Sequence, residues 1–146
     1  FLSAIGNAGA LCIVIGVVLC ISKKYRRGGM QMLSAELLSF IVGNLIIKNM
    51  VDRLRPCQID ETVSLIVKIP FDSSFPSGHT LNGITAAVTL MFIDKRMGIP
   101  AIVLAVLIAF SRMYNFMHFP TDVLAGAVLG VVSAVFVNFL FKRAGN

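Results

Sequence analysis

The stretch SRMYNFMHFPTD, residues 111–122, separates two long apolar runs of this chain. It places Arg112, His118 and Asp122 close together in the sequence. Ionisable side chains are costly beside a hydrophobic span, so this cluster indicates a functional site. An imidazole can act as nucleophile or base, and a carboxylate four residues later can orient it if a helix has already begun. The alternative is a surface histidine near a helix start, with Asp122 as a favourable first-turn acid.

The composition places the chain in a membrane. Of the 146 residues, 57% are hydrophobic and 14% are charged, whereas a soluble domain of this size carries about a quarter charged residues. No polar segment is long enough for a soluble domain, so residues 1–146 are interpreted as one transmembrane domain. The net charge of +6 does not indicate a nucleic-acid partner, because the basic residues cluster beside the apolar runs.

The cysteines and histidines predict neither a disulfide framework nor a metal site. Cys12 and Cys20 fall inside the first apolar run, and Cys57 falls in a loop. No Cys or His spacing is typical of metal ligands. We therefore expect no metal and no other cofactor.

Hydropathy predicts an all-α bundle of five membrane-spanning helices. They cover about Leu2–Ser22, Met30–Met50, His79–Ile93, Ile99–Met113 and Pro120–Phe141. The third and fourth spans are short for a hydrocarbon core of ~30 Å. The first run has no basic segment before it and no small-residue cleavage site, so it is not typical of a signal peptide. Because the sequence starts at Phe1, we expect one further helix upstream and six in the full-length protein.

The basic residues predict the orientation of the bundle. With five alternating spans, the segments Lys23–Arg27, Asp94–Arg96 and Lys142–Arg143 fall on one side and hold eight of the 13 basic residues. The positive-inside rule makes this side cytoplasmic. Residues 51–77 and 114–119 then lie on the outer side.

Three further features lie away from the ionisable cluster. The apolar loop Val63–Phe71 is expected either to lie in the membrane interface beside a lipid entry or to form a plain loop or short packed helix. Gly126 and Gly130 form a small-xxx-small pattern, which favours tight packing inside the bundle over dimerisation. Glu36 is expected to be buried, and either hydrogen-bonded or neutral.

A second polar stretch, FPSGH at residues 75–79, precedes the third span. A Ser-Gly pair before a helix leaves backbone N–H groups free to bind an anion. The hydroxyl of Ser77 adds a donor, Gly78 allows an oxyanion to approach the backbone, and His79 is a candidate general acid. The alternative is a serine helix cap with an incidental histidine.

A third stretch, KNMVDRLRP at residues 48–56, ends the second span. Snorkelling would explain either Lys48 or Arg55. The positive-inside tendency disfavours cations on this side, however, so both indicate an anionic ligand. Asp52 and Arg53 are interpreted as an ordinary surface pair.

The side chains of the three stretches fit phosphoryl transfer without a metal. Fixed cations can compensate the phosphoryl oxygens while one histidine attacks and the other protonates the leaving oxygen. A serine triad does not fit, because the carboxylate partners a histidine that has no dedicated serine. A zinc hydrolase does not fit, because two histidines and one aspartate spread this way offer no compact ligand set.

Together the three stretches resemble the signature of the type 2 phosphatidic acid phosphatase superfamily, the integral-membrane lipid phosphate phosphatases. That signature is Lys-x6-Arg-Pro, Pro-Ser-Gly-His and Ser-Arg-x5-His-x3-Asp. It occurs here, in order, at Lys48–Pro56, Pro76–His79 and Ser111–Asp122. Family members are six-helix bundles, so the resemblance covers roughly the whole chain and implies that it contains the last five helices.

The resemblance implies a role for each matched residue. His118 is the expected nucleophile that forms a phosphohistidine, and Asp122 is expected to orient it. His79 is expected to protonate the leaving group and later to activate water. Ser111 is expected only to support the helix end, and no metal is expected to be needed. The expected phosphate-binding residues are Lys48, Arg55, Ser77, Gly78 and Arg112.

The expected substrate is a lipid phosphate in the bilayer. The compact chain is similar to bacterial members that dephosphorylate undecaprenyl diphosphate, phosphatidylglycerophosphate or phosphatidic acid. A site facing outward across a bacterial plasma membrane favours undecaprenyl diphosphate, because that carrier is recycled there. A non-catalytic lipid-phosphate-binding or transport scaffold is the alternative, although binding alone would not require both histidines. A soluble vanadium haloperoxidase has a similar anion site but does not match this hydropathy.

Overall fold

The structure is a computed structural model that describes residues 8–59 and 72–145. These residues form helices and connections and no strand, which confirms the all-α prediction. The loop Val63–Phe71 lies outside the described residues. The helices are α1 Ala8–Ile21, α2 Arg26–Ser39, a π-helical segment Phe40–Ile47, α3 Lys48–Val51, α4 Pro56–Ile59, α5 Gly78–Ile93, α6 Lys95–Tyr114 and α7 Pro120–Arg143.

The second predicted span is longer than its hydropathy suggests. It starts at Arg26 and not at Met30, so two basic residues assigned to a loop form the first turn of α2. It continues through the π-helical segment and α3 until Asp52, whose left-handed backbone (φ 40°) ends the helix. Within the π-helical segment, a Cβ atom on Gly43 would lie 2.2 Å from a methyl carbon of Leu81, so glycine is needed for this approach to α5.

α5 is the central helix, in contact with α1, α2, α6 and α7. Leu81 on this helix is completely buried, as are the two threonines Thr85 and Thr89. Each threonine hydroxyl donates a 2.8 Å hydrogen bond to the carbonyl four residues earlier in the same helix. A polar side chain can therefore be buried between apolar helices without an unsatisfied donor.

The fifth span packs against α5 through its two glycines. A Cβ atom on Gly126 would lie 2.7 Å from the carbonyl oxygen of Ser77, and one on Gly130 would lie 2.8 Å from that of Leu81. These spaces are too small for any side chain. The small-xxx-small pattern therefore serves packing within the bundle, as predicted.

Successive long helices run in alternating directions. At one end, a hydrogen bond of 3.1 Å joins Gln31 at the start of α2 to Asn138 near the end of α7. At the other end, the backbone N–H of Ser77 donates to the carbonyl of Asp122 (3.0 Å). All three signature stretches therefore meet at one end of the bundle.

Three helical stretches in the described part of the chain are long and apolar enough to cross a membrane: Arg26–Ile59, Lys95–Tyr114 and Pro120–Arg143. The apolar helices Gly9–Ile21 and Gly78–Ile93 are shorter, so the third predicted span is short as expected. The fourth is not. Asp94 caps α6 by accepting a 2.9 Å bond from the backbone N–H of Arg96, which brings the polar residues before Ile99 into the helix.

Two residues predicted outside the site also have defined positions. Cys57 does not lie in a loop but in α4, where it is buried. Its backbone N–H donates a 3.1 Å hydrogen bond to the carbonyl of Phe116. It is free of a disulfide, as are Cys12 and Cys20. Glu36 is buried as predicted, and its Oε1 has no hydrogen-bond partner among the described residues.

Candidate active site

The candidate active site lies where α3 and α6 end and where α5 and α7 begin. Every residue selected from the sequence belongs to an element or connection at this end of the bundle. Lys48 begins α3, and Arg55 lies in the short connection to α4. Arg112 is in the last turn of α6, and His118 lies in the turn that leads into α7.

His118 is buried and held in one orientation. Its Nδ1 lies 2.8 Å from the carbonyl oxygen of Ser74. Because a carbonyl oxygen only accepts, this contact assigns the proton of the neutral ring to Nδ1 and makes Nε2 the unprotonated, accepting nitrogen. Nε2 lies 3.2 Å from Nη1 of Arg55, so the potential nucleophile and a predicted phosphate-binding cation are neighbours.

The surroundings of His118 favour its neutral form. Burial and the nearby charge of Arg55 lower its pKa to about 4, against the opposing effects of the Ser74 carbonyl and Asp122. The imidazole is therefore unprotonated near pH 7, which is the form that can attack phosphorus.

Asp122 contacts Ser74 and forms no direct hydrogen bond with His118. Its Oδ2 lies 3.8 Å from Nδ1 of His118, which is beyond hydrogen-bond distance. The same oxygen accepts a 2.6 Å bond from the hydroxyl of Ser74, and that hydroxyl lies 3.4 Å from Nδ1. His118 precedes α7, which begins at Pro120, so the two residues do not share one face of a helix. Asp122 instead caps α7 by accepting a 2.9 Å bond from the backbone N–H of Phe119.

Arg53 does not form the surface pair with Asp52 that the sequence suggested. Its Nη1 donates 2.8 Å bonds to Oδ1 of Asp122 and to the hydroxyl of Thr121. Its guanidinium also lies over the ring of Phe119, 4.0 Å from the centroid. Because Asp122 is completely buried, Arg53 supplies the positive charge that makes a buried carboxylate tolerable.

The three predicted phosphate-binding cations differ in their partners. Arg55 is buried, donates to the carbonyl of Met117 (3.0 Å) and binds Oδ1 of Asp72 (2.7 Å). Lys48 forms an ion pair with Oδ2 of the same aspartate. Arg112 is also buried, but its Nε and Nη2 have no hydrogen-bond partner among the described residues. Two buried donors of a guanidinium without acceptors are well suited to bind an oxyanion.

The start of α5 provides backbone donors beside these cations. Ser77 is buried, its N–H is bonded to Asp122, and its hydroxyl accepts a 3.1 Å bond from Thr80. The first backbone bond of the helix runs from Leu81 to Ser77, so the N–H groups of Gly78 and Thr80 have no acceptor within the helix. A Cβ atom on Gly78 would lie 4.0 Å from Nζ of Lys48, which places this end of the helix beside a cation.

His79 lies in the first turn of α5 and is partly exposed. Ser111, the other polar residue of the signature, has its hydroxyl bonded to the carbonyl of Ile108 in its own helix (2.7 Å). This contact is consistent with support of the helix end.

Three residues of this site were not recognised from the sequence as part of it: Arg53, Asp72 and Ser74. Arg53 lies inside the variable part of the first signature stretch. The other two belong to the polar run Asp72–Ser74 directly before the second stretch, and that run is the only signal the sequence offers for them. Their roles depend on contacts between segments far apart in the chain.

Comparison with known proteins gives a consistent family assignment. Residues 28–145 match the PAP2 superfamily. An undecaprenyl-diphosphatase from Sulfolobus acidocaldarius is 36% identical over 89% of this chain and 63% of its own length. A bacitracin transport permease protein, BcrC, from Bacillus licheniformis is 35% identical over 70% of this chain and 48% of its own length. The chain therefore spans about half to two thirds of the length of these relatives.

A solved structure supports the same assignment at the level of the fold. A transmembrane PAP2-type phosphatidylglycerolphosphate phosphatase from Bacillus subtilis superposes with a TM-score of 0.73 at 26% identity, covering 97% of this chain and 74% of that one. With its long apolar helices, this chain is an integral membrane protein. The helical bundle, the three clustered signature stretches and the matches together establish that the chain belongs to the PAP2 superfamily.

Proposed function

We propose that this chain is a membrane phosphatase that hydrolyses lipid phosphates, with His118 as the nucleophile. The observation that carries the proposal is the orientation of His118: Nδ1 is bonded to Ser74, while the unprotonated Nε2 lies beside Arg55. Arg112 adds two buried donors without partners among the described residues. The proposal is also supported by the similarity to proteins named as phosphatases.

In the first step, Nε2 of His118 attacks phosphorus and a P–N bond forms as the P–O bond to the lipid breaks. His79 gives its proton to the departing oxygen. The positive charge that develops on the imidazole is stabilised by Asp122 through the Ser74 hydroxyl. The phosphoryl oxygens are bound by Lys48, Arg55 and Arg112 and by donors of Ser77 and Gly78.

In the second step, His79, now neutral, takes a proton from water. The water oxygen bonds to phosphorus, the P–N bond breaks, and inorganic phosphate leaves. Nε2 regains its lone pair and His79 is protonated again, so the cycle closes. Three fixed cations compensate the phosphoryl charge, and on this proposal the reaction requires no metal.

The preferred substrate in this proposal is undecaprenyl diphosphate, at the outer face of a bacterial plasma membrane. Support comes from the relatives named undecaprenyl-diphosphatase in Sulfolobus acidocaldarius and Bacillus subtilis. Phosphatidylglycerophosphate is the second candidate, because the superposed Bacillus subtilis structure is named as a phosphatidylglycerolphosphate phosphatase. The alternative function is lipid-phosphate transport without catalysis, and the experiment below distinguishes it from hydrolysis.

The test is a substrate panel in detergent with excess EDTA. Undecaprenyl diphosphate, phosphatidylglycerophosphate and phosphatidic acid are compared at equal surface concentration, and released phosphate is measured for the wild type and for His118→Ala. We expect turnover of the diphosphate to be fastest and turnover by the variant to be lost while its Tm is retained. Unchanged turnover by His118→Ala would reject the nucleophile. Activity that returns only with added magnesium would reject the metal-independent mechanism, and no release from any lipid would favour the transport role.

A further inference from the structure

Asp72 lies between two of the proposed phosphate-binding cations. Its Oδ1 binds Nη2 of Arg55 at 2.7 Å, and its Oδ2 forms the ion pair with Nζ of Lys48. Its backbone carbonyl accepts a third bond, of 3.3 Å, from Nε of Arg55. One carboxylate thus presents one oxygen to each cation, as two oxygens of a bound phosphoryl group would.

The cations are more firmly held than the acid. The side chains of Arg55 and Lys48 are 4% and 12% exposed, whereas that of Asp72 is 51% exposed. Arg55 also donates to the Met117 carbonyl (3.0 Å), a contact that does not involve Asp72. The aspartate is therefore the partner that can leave without dismantling the site.

The charge state of Asp72 supports this picture. Its partial burial would raise its pKa, but the hydrogen bonds and charges of Lys48 and Arg55 outweigh that effect and hold the pKa below its ordinary value. The side chain is thus an anion near pH 7. Arg112, the third cation, forms no ion pair with any described residue, so Asp72 neutralises the charge of Lys48 and Arg55 but not that of Arg112.

We propose that Asp72 is an internal competitor of phosphate, which occupies Lys48 and Arg55 in the substrate-free protein and is displaced when a phosphoryl group binds. The inference rests on the proposed function of the site. It makes Asp72 a residue that sets affinity: substrate must exchange with the carboxylate, and the returning carboxylate helps inorganic phosphate to leave. The contrasting role is that of a positioning residue, which stays bound and orients both cations for the substrate.

Replacing Asp72 changes phosphate affinity in opposite directions for a competitor and for a positioning residue. If Asp72 leaves the cations free in about a tenth of the molecules, it weakens apparent phosphate affinity about tenfold. Its removal should then tighten phosphate binding by about that factor. Removal of a positioning residue would weaken binding instead.

The experiment measures binding of inorganic phosphate to the detergent-solubilised protein by isothermal titration calorimetry, with no turnover involved. Asp72→Asn and Asp72→Ala are compared with wild type, and the Tm of each is recorded. Asp52→Asn is the matched control, because it removes the same charge from an exposed residue of the neighbouring connection. Asparagine also tolerates the left-handed backbone at position 52.

We expect both Asp72 variants to bind phosphate about tenfold more tightly and the control to bind like wild type. Equal or weaker binding by the Asp72 variants would overturn the inference while leaving the phosphate site intact. An equal gain in phosphate affinity in Asp52→Asn would show a general effect of charge and overturn direct competition. Unfolding of both Asp72 variants would also overturn it, by showing that the ion pairs of Asp72 hold the fold together. Absence of phosphate binding in every protein would overturn the inference together with the proposed function.

Discussion

Ser74 contacts two groups of the proposed site with two different atoms. Its carbonyl oxygen accepts the Nδ1 proton of His118, and its hydroxyl donates to Asp122. A substitution by alanine keeps the first contact and removes the second. The residue therefore allows the link between the carboxylate and the imidazole to be tested without moving the imidazole.

Ser74→Ala is expected to lower kcat with little change in KM, because Ser74 does not bind phosphate in the proposed mechanism. A hydrogen bond to a charged group contributes roughly 1.5–3 kcal/mol. If that contribution is made in the transition state, kcat falls by roughly ten- to a hundredfold. The measurement is steady-state kinetics of phosphate release in detergent.

Ser111→Ala is the matched control for this prediction. Its hydroxyl bonds only to a carbonyl of its own helix among the described contacts, so we expect kcat close to wild type even though the residue belongs to the signature. An unchanged kcat in Ser74→Ala, or an equal loss in both variants, would contradict the proposal that Ser74 links Asp122 to His118.

The charge state of His118 leads to a second prediction about a single residue. A pKa lowered to about 4 means that the ring loses its proton at a lower pH than an ordinary histidine, at 6.5, so the neutral nucleophile persists into the acidic range. The chain has two histidines, and His79→Gln leaves His118 as the only one. We expect its NMR signal in detergent micelles to titrate with a midpoint near 4. A midpoint near 6.5 would contradict the buried, cation-facing environment.

At the scale of the elements, the position of the site depends on how closely α5 and α7 approach each other. Gly126 lies against the carbonyl of Ser77, and Ser77 in turn donates to the carbonyl of Asp122. The packing of the two helices and the geometry of the site are therefore set at the same contact. Disturbing the glycine should affect both stability and activity.

Gly126→Ala is expected to lower both Tm and kcat. Its Cβ would lie 2.7 Å from a backbone oxygen, which cannot turn aside as a side chain can. Overpacking of this kind costs about 1–3 kcal/mol. Tm is measured by thermal unfolding in detergent, and kcat by phosphate release.

Gly83→Ala is the control, since the nearest atom to its new Cβ is 3.5 Å away on Ala105. Alanine is also favoured over glycine inside a helix by up to about 1 kcal/mol. We expect its Tm to equal or exceed that of wild type. If Gly126→Ala behaves like this control, α5 and α7 are not held together in the way described.

The elements also show what the sequence could predict. Hydropathy located the five apolar helices seen in residues 8–59 and 72–145, because a long apolar run has few alternatives to a helix in a bilayer. It misplaced the starts of α2 and α6, where polar residues such as Arg26 and Lys95 continue the helix beyond its apolar part. The signature stretches lie at one end of the bundle, where Arg55 contacts His118 and Lys48 lies near Gly78, and the roles of these residues stay a prediction. The sequence could not predict that Arg53 binds Asp122 or that Asp72 binds Lys48, because such pairs depend on how distant segments approach each other.

For the molecule as a whole, the side of the membrane that the site faces is a testable property. The distribution of basic residues predicts that it faces outward. Labelling of Cys57 cannot test this, because Cys57 is buried. New cysteines at the two ends of α6 can, in a variant whose three native cysteines are replaced by alanine.

Tyr114→Cys lies at the site end, where the tyrosine is 73% exposed, and Arg96→Cys lies at the opposite end, where the arginine is exposed. On intact cells, an impermeant maleimide should label Tyr114→Cys but not Arg96→Cys. Both should be labelled after permeabilisation. The reverse pattern on intact cells would place the site on the cytoplasmic side.

In the proposed mechanism, the phosphoryl group passes through a covalent bond to His118. His79→Gln should allow this bond to form from p-nitrophenyl phosphate, whose leaving group needs no protonation, and should slow its hydrolysis by water. The most direct measurement is mass spectrometry of this variant, quenched in alkali after incubation with p-nitrophenyl phosphate. We expect a phosphoryl group on the peptide that contains His118, and none when His118→Ala is combined with His79→Gln. No modified peptide, or a phosphoryl group on another residue, would contradict this mechanism.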